Sequence, residues 1–202
     1  MLKSKKKGIL IIISSPSGAG KTSIAKKLTS KNSDIELSVS LTTRKPRIGE
    51  IDGVHYKFVS SNFFKDKIKQ NSFLEYAKVF DNYYGTLKSN IFKKINSGKN
   101  ILLDIDWQGA RQIKKILPEQ ILTIFILPPS IQELKKRLQK REKKNIFFVN
   151  KRMSKAKREI MHWREYDYAI INNNLNECVK KIKQIINNDN YKPDRLILKK
   201  FR

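Results

Sequence analysis

The first strongly apolar stretch, Ile9-Leu10-Ile11-Ile12-Ile13, stops at a loop of small residues and is followed by a helix-forming segment over 23–31. Continuous hydrophobicity, as opposed to alternation, predicts a strand covered on both faces. The pattern recurs at 100–106 and 122–127, and more briefly at 35–39 and 169–171. Between these strands the spacing predicts helices over 88–96, closed by Ser97-Gly98, over 108–116, and over 131–141 behind a Ser130 cap. A long helix is expected over 149–166, and a final one over 175–186 with Leu175, Val179, Ile182 and Ile186 on one stripe. Strands alternating with helices make this an α/β chain with a parallel sheet.

Residues 39–87 interrupt that alternation. They offer a strand at 56–59, a helix over 63–69 capped from Ser60-Ser61-Asn62, a half-buried strand at 73–79 and a turn at 81–86. The block is expected to be a small strand-rich insertion between the α/β elements. Alternation places Phe73, Glu75, Ala77 and Val79 on one face, so the Glu75 carboxylate is either turned to a pocket or paired. Residues 142–148 show no period and are expected to be a mobile loop, and the polar tail from 187 is expected to fray.

The loop after the first strand carries the chemistry. Ser15-Pro16-Ser17-Gly18-Ala19-Gly20-Lys21-Thr22 has the form of a phosphate-binding loop, with Ser15 in place of the usual first glycine. Glycines let successive amides turn around an anion, Lys21 reaches the outer phosphates and the Thr22 hydroxyl is placed to ligate Mg2+. The following helix adds the positive end of its dipole. Arg44 and Arg47, flanked by Ser and Thr hydroxyls and held extended by Pro46, form either an anion clamp or a solvated basic loop. Asp104 and Asp106 end a buried strand, where ligands of parallel sheets gather, although Asp106 equally suits the cap of the next helix.

Composition narrows the classes. At 202 residues and 39% hydrophobic content the chain builds one substantial core. It has no apolar run long enough for a membrane span. The apolar stretch near the start is too short for a signal sequence, so processing is not expected. The one cysteine, Cys178, fits a reducing cytoplasm. A net charge of +26 attracts anions, but its lysines are spread over helices and loops, so no specific nucleic-acid partner is expected. His55 and His162 stand apart with no partner motif and are expected to be surface or packed residues.

Four motifs then combine: the Ser15–Thr22 loop, Ser40-Leu41-Thr42-Thr43-Arg44-Lys45-Pro46-Arg47-Ile48-Gly49-Glu50, Asn82-Tyr83-Tyr84-Gly85 and Leu103-Asp104-Ile105-Asp106-Trp107-Gln108-Gly109. Their order and spacing resemble guanylate kinases from about residue 8 to 186, the second motif being the most specific. The resemblance implies transfer of the γ-phosphoryl group of ATP to GMP with Mg2+, in the cytoplasm, with no membrane or specific nucleic-acid partner. It leaves open whether the protein is a monomer or a homo-oligomer. It implies a parallel-sheet phosphate-loop core (1–38, 88–135 and 159–202, the last with the C-terminal helix), a GMP-binding insertion (39–87) and a helical lid (136–158). By position, Ser40, Arg44, Arg47, Tyr56 and Tyr84 would hold the GMP phosphate. Glu75, Thr86 and Asp104 would read or orient guanine, with Asp106 nearby. ATP would lie on Ser15, Pro16, Ser17, Gly18, Ala19, Gly20, Lys21 and Thr22, with Arg137, Asn172 and Asn173. Lys21, Arg47, Arg141 and Arg152 would act on the transferring group, and Thr22 on Mg2+. Three departures stand out: Ser15, Asn172-Asn173 where the family has Asn-Asp, and a lid loop with Lys143, Lys144, Phe147 and Phe148 in place of acids. A catalytically silent binding module of the same fold is the alternative, and an enzyme acting on AMP is a further one.

Overall fold

A computed structural model describes residues 8–30, 34–79, 81–142 and 145–189. The chain opens with β1 (Leu10–Ser14), α1 (Lys21–Leu28) and β2 (Ile35–Leu37). It continues through β3 (Leu41–Thr42), β4 (Lys57–Phe58), α2 (Ser61–Lys69), β5 (Phe73–Val79) and β6 (Asn82–Leu87). It then runs α3 (Lys88–Asn96), β7 (Asn100–Asp104), α4 (Trp107–Ile116) and β8 (Ile121–Leu127). α5 (Ile131–Arg141), α6 (Ile146–Ile160), a 3-10 helix (Met161–Glu165), β9 (Tyr168–Ile171) and α7 (Leu175–Asp189) follow.

A five-stranded parallel sheet in the order β2-β7-β1-β8-β9 forms the centre of the α/β fold. β1 sits in the middle and is buried along its whole length, which is why it is apolar without interruption. Ile11 and Ile13 pack on one face with Ile24, Leu28, Ile182 and Ile186. Leu10 and Ile12 pack on the other with Ile91, Ile95, Ala110 and Ile113. The stripe expected on the last helix is the one that docks.

A second sheet, in the order β4-β3-β6-β5, pairs β5, β6 and β3 antiparallel and β3 with β4 parallel. Its core is aromatic: Phe64 stacks on Phe73 at 4.4 Å and on Tyr83 at 5.3 Å between ring centroids. A bulge between Phe73 and Glu75 breaks the expected alternation, so neighbours Phe73 and Leu74 are both buried. Phe73 joins the aromatic core, whereas Leu74 joins the main one. α5 and α6 form their own small core from Leu134, Leu138, Val149, Met153 and Ala156.

Several expectations need correction. Residues 82–86 are strand β6, not a turn, because pairing with β5 and β3 overrides the local turn signal of Asn82 and Gly85. The aperiodic segment ends at Asn145, whose side chain accepts the Phe148 amide at 3.4 Å and starts α6 three residues early. That helix ends at Ile160, and residues 161–165 tighten into the 3-10 helix. α1 begins at Lys21, and β7 ends at Asp104 because Asp106 caps α4. Ser60 and Ser130 cap as expected. The expectations for Lys31, Lys143, Lys144 and residues 190–202 lie outside the described residues. Among the described residues, no helix is long and apolar enough to cross a membrane.

Candidate active site

The phosphate loop joins β1 to α1. Gly18 and Gly20 have φ of +93° and +101°, which glycine adopts without a Cβ clash. A Cβ on Gly20 would also lie 2.5 Å from Asn172 Nδ2. Positive φ at non-glycine residues is confined to Asn71 and Asp81 among the described residues, so Ser15 fills the first loop position without strain. The Ser15 hydroxyl donates to the Pro16 carbonyl at 3.0 Å, and the Ala19 amide donates to the same carbonyl at 3.2 Å. Gly20 caps α1 without a side chain, leaving the first amides of that helix to an outside acceptor.

Lys21 Nζ lies 2.7 Å from Asp104 Oδ1 and donates to the Ile105 carbonyl at 2.9 Å. Burial works against its charge, but the Asp104 carboxylate outweighs that and holds the pKa above the ordinary lysine value. Asp106 is a helix cap: Oδ1 accepts the amides of Gln108 and Gly109 at 3.0 and 3.1 Å. Thr22 is exposed in the first turn of α1. The Thr22 hydroxyl is an oxygen donor that suits Mg2+, which takes few protein ligands and completes its shell with phosphates and water. No group of three or more His, Cys, Asp or Glu fit to hold a metal occurs among the described residues.

Glu75 is 3% exposed, and its Oε1 accepts the Thr86 hydroxyl at 2.7 Å. Thr86 in turn contacts the Ser40 hydroxyl at 3.1 Å. Burial pushes the Glu75 carboxyl up to about 7, against the lowering effect of the Thr86 bond. Gly109 makes room for this carboxyl, since a Cβ there would stand 2.4 Å from Oε2. The Tyr56 and Tyr84 rings meet edge-on at 5.9 Å, and the Arg44 guanidinium lies 5.4 Å from the Tyr56 ring centroid. Arg44 forks onto Glu50 at 2.9 and 3.0 Å, and the Arg47 amide donates to the same carboxylate at 2.7 Å.

From the α5–α6 pair, Arg152 Nε lies 2.8 Å and Arg141 Nε 3.8 Å from Glu142 Oε1. Burial, then the nearby Arg152, Arg47 and Arg44 charges, lower the Arg141 pKa, so these four guanidinium groups share one neighbourhood. Arg137 is held elsewhere, by Glu133 at 2.9 Å and the Asn172 carbonyl at 3.2 Å. Asn172 is buried and donates to the Ala19 carbonyl at 2.8 Å, while Asn173 is exposed. Arg152 also donates to the Ser17 hydroxyl at 3.1 Å.

Four contributors escaped sequence reasoning: Glu50 on Arg44, Gln112 on the Tyr76 main chain, Glu142 on Arg152 and Glu159 on the Ser17 amide. Each acts through a partner that no spacing rule singles out. The histidines are packing residues, His162 stacking on Trp107 at 3.8 Å and bonding Glu165, and His55 accepting the Ile51 amide.

The family model for guanylate kinase matches residues 7–189. A protein of Rickettsia prowazekii (strain Madrid E) named guanylate kinase is 50% identical over 185 residues, 92% of this chain and 93% of its own. Its namesake in Clostridioides difficile (strain 630) is 46% identical over 200 residues, covering 98% and 97% of the two chains. The crystal structure of guanylate kinase from Anaplasma phagocytophilum superposes with a TM-score of 0.79 at 33% identity, over 96% of this chain and 92% of that one.

Proposed function

This chain belongs to the guanylate kinase family, and we propose that it transfers the γ-phosphoryl group of ATP to GMP through the groups gathered beyond β1 and β7. The observation that carries the reading is the buried Glu75 carboxyl beside Thr86 and Ser40, in a gap that only a glycine at 109 leaves open. Guanine offers N1–H and the N2 amino group as paired donors, and adenine has no such pair. A carboxylate acceptor therefore selects guanine and is left unpaired by the wrong base.

In the reaction an oxygen of the GMP phosphate forms a bond to the γ-phosphorus as the bond from that phosphorus to the β-bridging oxygen breaks. The products are GDP and ADP. The transition state is loose, its charge spread over the phosphoryl oxygens, so the protein contributes position and positive charge. We assign Lys21 and the loop 15–22 to the donor phosphates, and Arg47, Arg141 and Arg152 to the transferring group. Ser40, Arg44, Tyr56 and Tyr84 take the acceptor phosphate, and Thr86, Asp104 and Asp106 complete the acceptor side. Arg137, Asn172 and Asn173 border the donor base, Asn172 also bracing the loop through Ala19. Mg2+, held from the protein side by Thr22, supplies charge neutralisation on the donor oxygens when bound.

Residues 39–87 then serve as the GMP-binding segment and 136–158 as the lid that excludes water, on a core of 1–38, 88–135 and 159–202. We place the reaction in the cytoplasm, where these nucleotides and a lone thiol are at home. The silent-module alternative has no support, since Lys21 and the arginines at 141 and 152 are all present and the relatives named guanylate kinase match nearly end to end. A coupled assay of ADP formation tests the reading. Turnover with ATP and Mg2+ should depend on GMP and be weak with AMP, CMP or UMP. Folded protein that binds GMP yet turns over no acceptor would overturn it.

A further inference from the structure

Ser17 is gripped twice by α6. Its hydroxyl accepts from Arg152, and its amide donates to Glu159 Oε2 at 3.2 Å. Arg152 and Glu159 are seven residues apart, two turns along one helix face. Arg152 is accounted for by the phosphoryl-transfer chemistry. Glu159 is not, and its position is costly: it is 7% exposed and follows Val149, Met153 and Ala156 on the buried side of α6. A helix that merely packed on its neighbour would carry an apolar side chain there, because a buried carboxylate destabilises unless hydrogen-bonded and paired. The Ser17 amide and Lys155, 3.6 Å away, meet that need.

We propose that Glu159 is a positioning residue for the phosphoryl donor: reaching from the C-terminal end of α6, its carboxylate holds the Ser17 amide and fixes the phosphate loop in the shape that receives the donor's phosphates. The bonds that brace the loop support this. The Ala19 amide is used by Pro16, the Ala19 carbonyl by Asn172 and the Ser17 amide by Glu159. Each consumes a loop group other than the amides of Gly18, Gly20, Lys21 and Thr22, so those four are left to the nucleotide. The Glu159 bond spans 142 residues of sequence and is made to main chain, so it depends on the loop's path and not on which side chain stands at 17.

The inference rests on the kinase reading for its ligand but is tested without turnover. Calorimetry on the full chain would measure binding of ADP with Mg2+, and of GMP alone, to wild type, Glu159→Met and Glu159→Gln. Met matches the length of Glu and suits a buried position, so its melting temperature should equal or exceed that of wild type. ADP binding should nevertheless weaken about ten-fold, the scale of one lost bond to a charged acceptor, with GMP binding unchanged. Gln keeps an acceptor oxygen and should restore ADP binding to within about three-fold of wild type. Unchanged ADP affinity in Glu159→Met would overturn the inference. So would a lowered melting temperature in both variants with ADP and GMP binding weakened together, the mark of a purely structural role. A wild type that binds ADP but lacks turnover would count against the kinase reading alone.

Discussion

At the residue scale, two ionisable side chains carry opposite kinds of perturbation. Lys21 is buried but stays charged, since Asp104 lies 2.7 Å away. Lys21→Met should lower turnover on the order of a hundred-fold or more, as expected when a charge aimed at the transition state is removed. Its far-ultraviolet circular dichroism should match wild type, and near-wild-type turnover would contradict the role of Lys21 in phosphoryl transfer. Glu75 is perturbed toward neutrality, its pKa raised from 4.5 to about 7 by burial. The folded state therefore binds this proton more tightly than the unfolded chain does. The contribution to stability is full below about pH 4.5 and is lost as pH rises through about 7. On the proposed role of Glu75, guanine recognition runs the other way, because two donors require the ionised acceptor. The kcat/KM for GMP should rise with pH across about 7, and Glu75→Gln should remove that limb. The variant should also lower kcat/KM for GMP by about ten- to a hundred-fold. A profile that Glu75→Gln leaves unaltered would mean another group titrates there.

At the element scale, α4 braces β5 and the Glu75 carboxyl. β5 is an edge strand of the second sheet, and Gln112 pairs with it as a strand would. Its Nε2 donates to the Tyr76 carbonyl at 2.8 Å, and its Oε1 accepts the Tyr76 amide at 3.1 Å. One turn earlier on the same helix, Gly109 faces Glu75. Gly109→Ala would place a Cβ 2.4 Å from Oε2 and 3.0 Å from Cδ, so the carboxyl must move. Steady-state kinetics should show KM for GMP raised about ten-fold or more, as misplacement of a binding group costs, with KM for ATP little changed. Equal shifts in both would indicate that α4 itself had been displaced. None of this pairing was legible in the sequence. β1 and β8 were, because burial on both faces writes itself as an unbroken apolar run, and so were the Ser60 and Ser130 caps. β6 was not, since Asn82 and Gly85 signal a turn and only the partners β5 and β3 make them strand. The N-terminus of α6 was hidden because Asn145 sits beside lysines with no apolar period. Phosphate-loop and arginine positions were visible as residue types in order. What holds them in place, through Glu50, Glu142 and Glu159, was not, because each bond joins side chain to partner across a fold that local spacing does not encode.

At the scale of the whole molecule, the candidate site draws its cations from three segments: the loop after β1, the arginines near β3, and the α5–α6 pair. Arg44, Arg47 and Arg152 act on Arg141, while the carboxylates of Glu50, Glu142 and Asp104 engage Arg44, the Arg141–Arg152 pair and Lys21 respectively. The chain as a whole carries a formal net charge of +26. Both substrates are anions, so the distant charge should act on their approach and the near charge on their chemistry. These separate by salt. Charges farther apart than the Debye length of about 10 Å are largely screened at 0.1 M ionic strength, while contacts inside a closed, water-poor site are screened far less. Raising sodium chloride from about 50 to about 500 mM should therefore lower kcat/KM for both ATP and GMP, with kcat at saturation changing less. If kcat/KM holds while kcat falls, the surface charge plays no part in capture, and the arginine cluster itself is open enough to be screened during the chemical step.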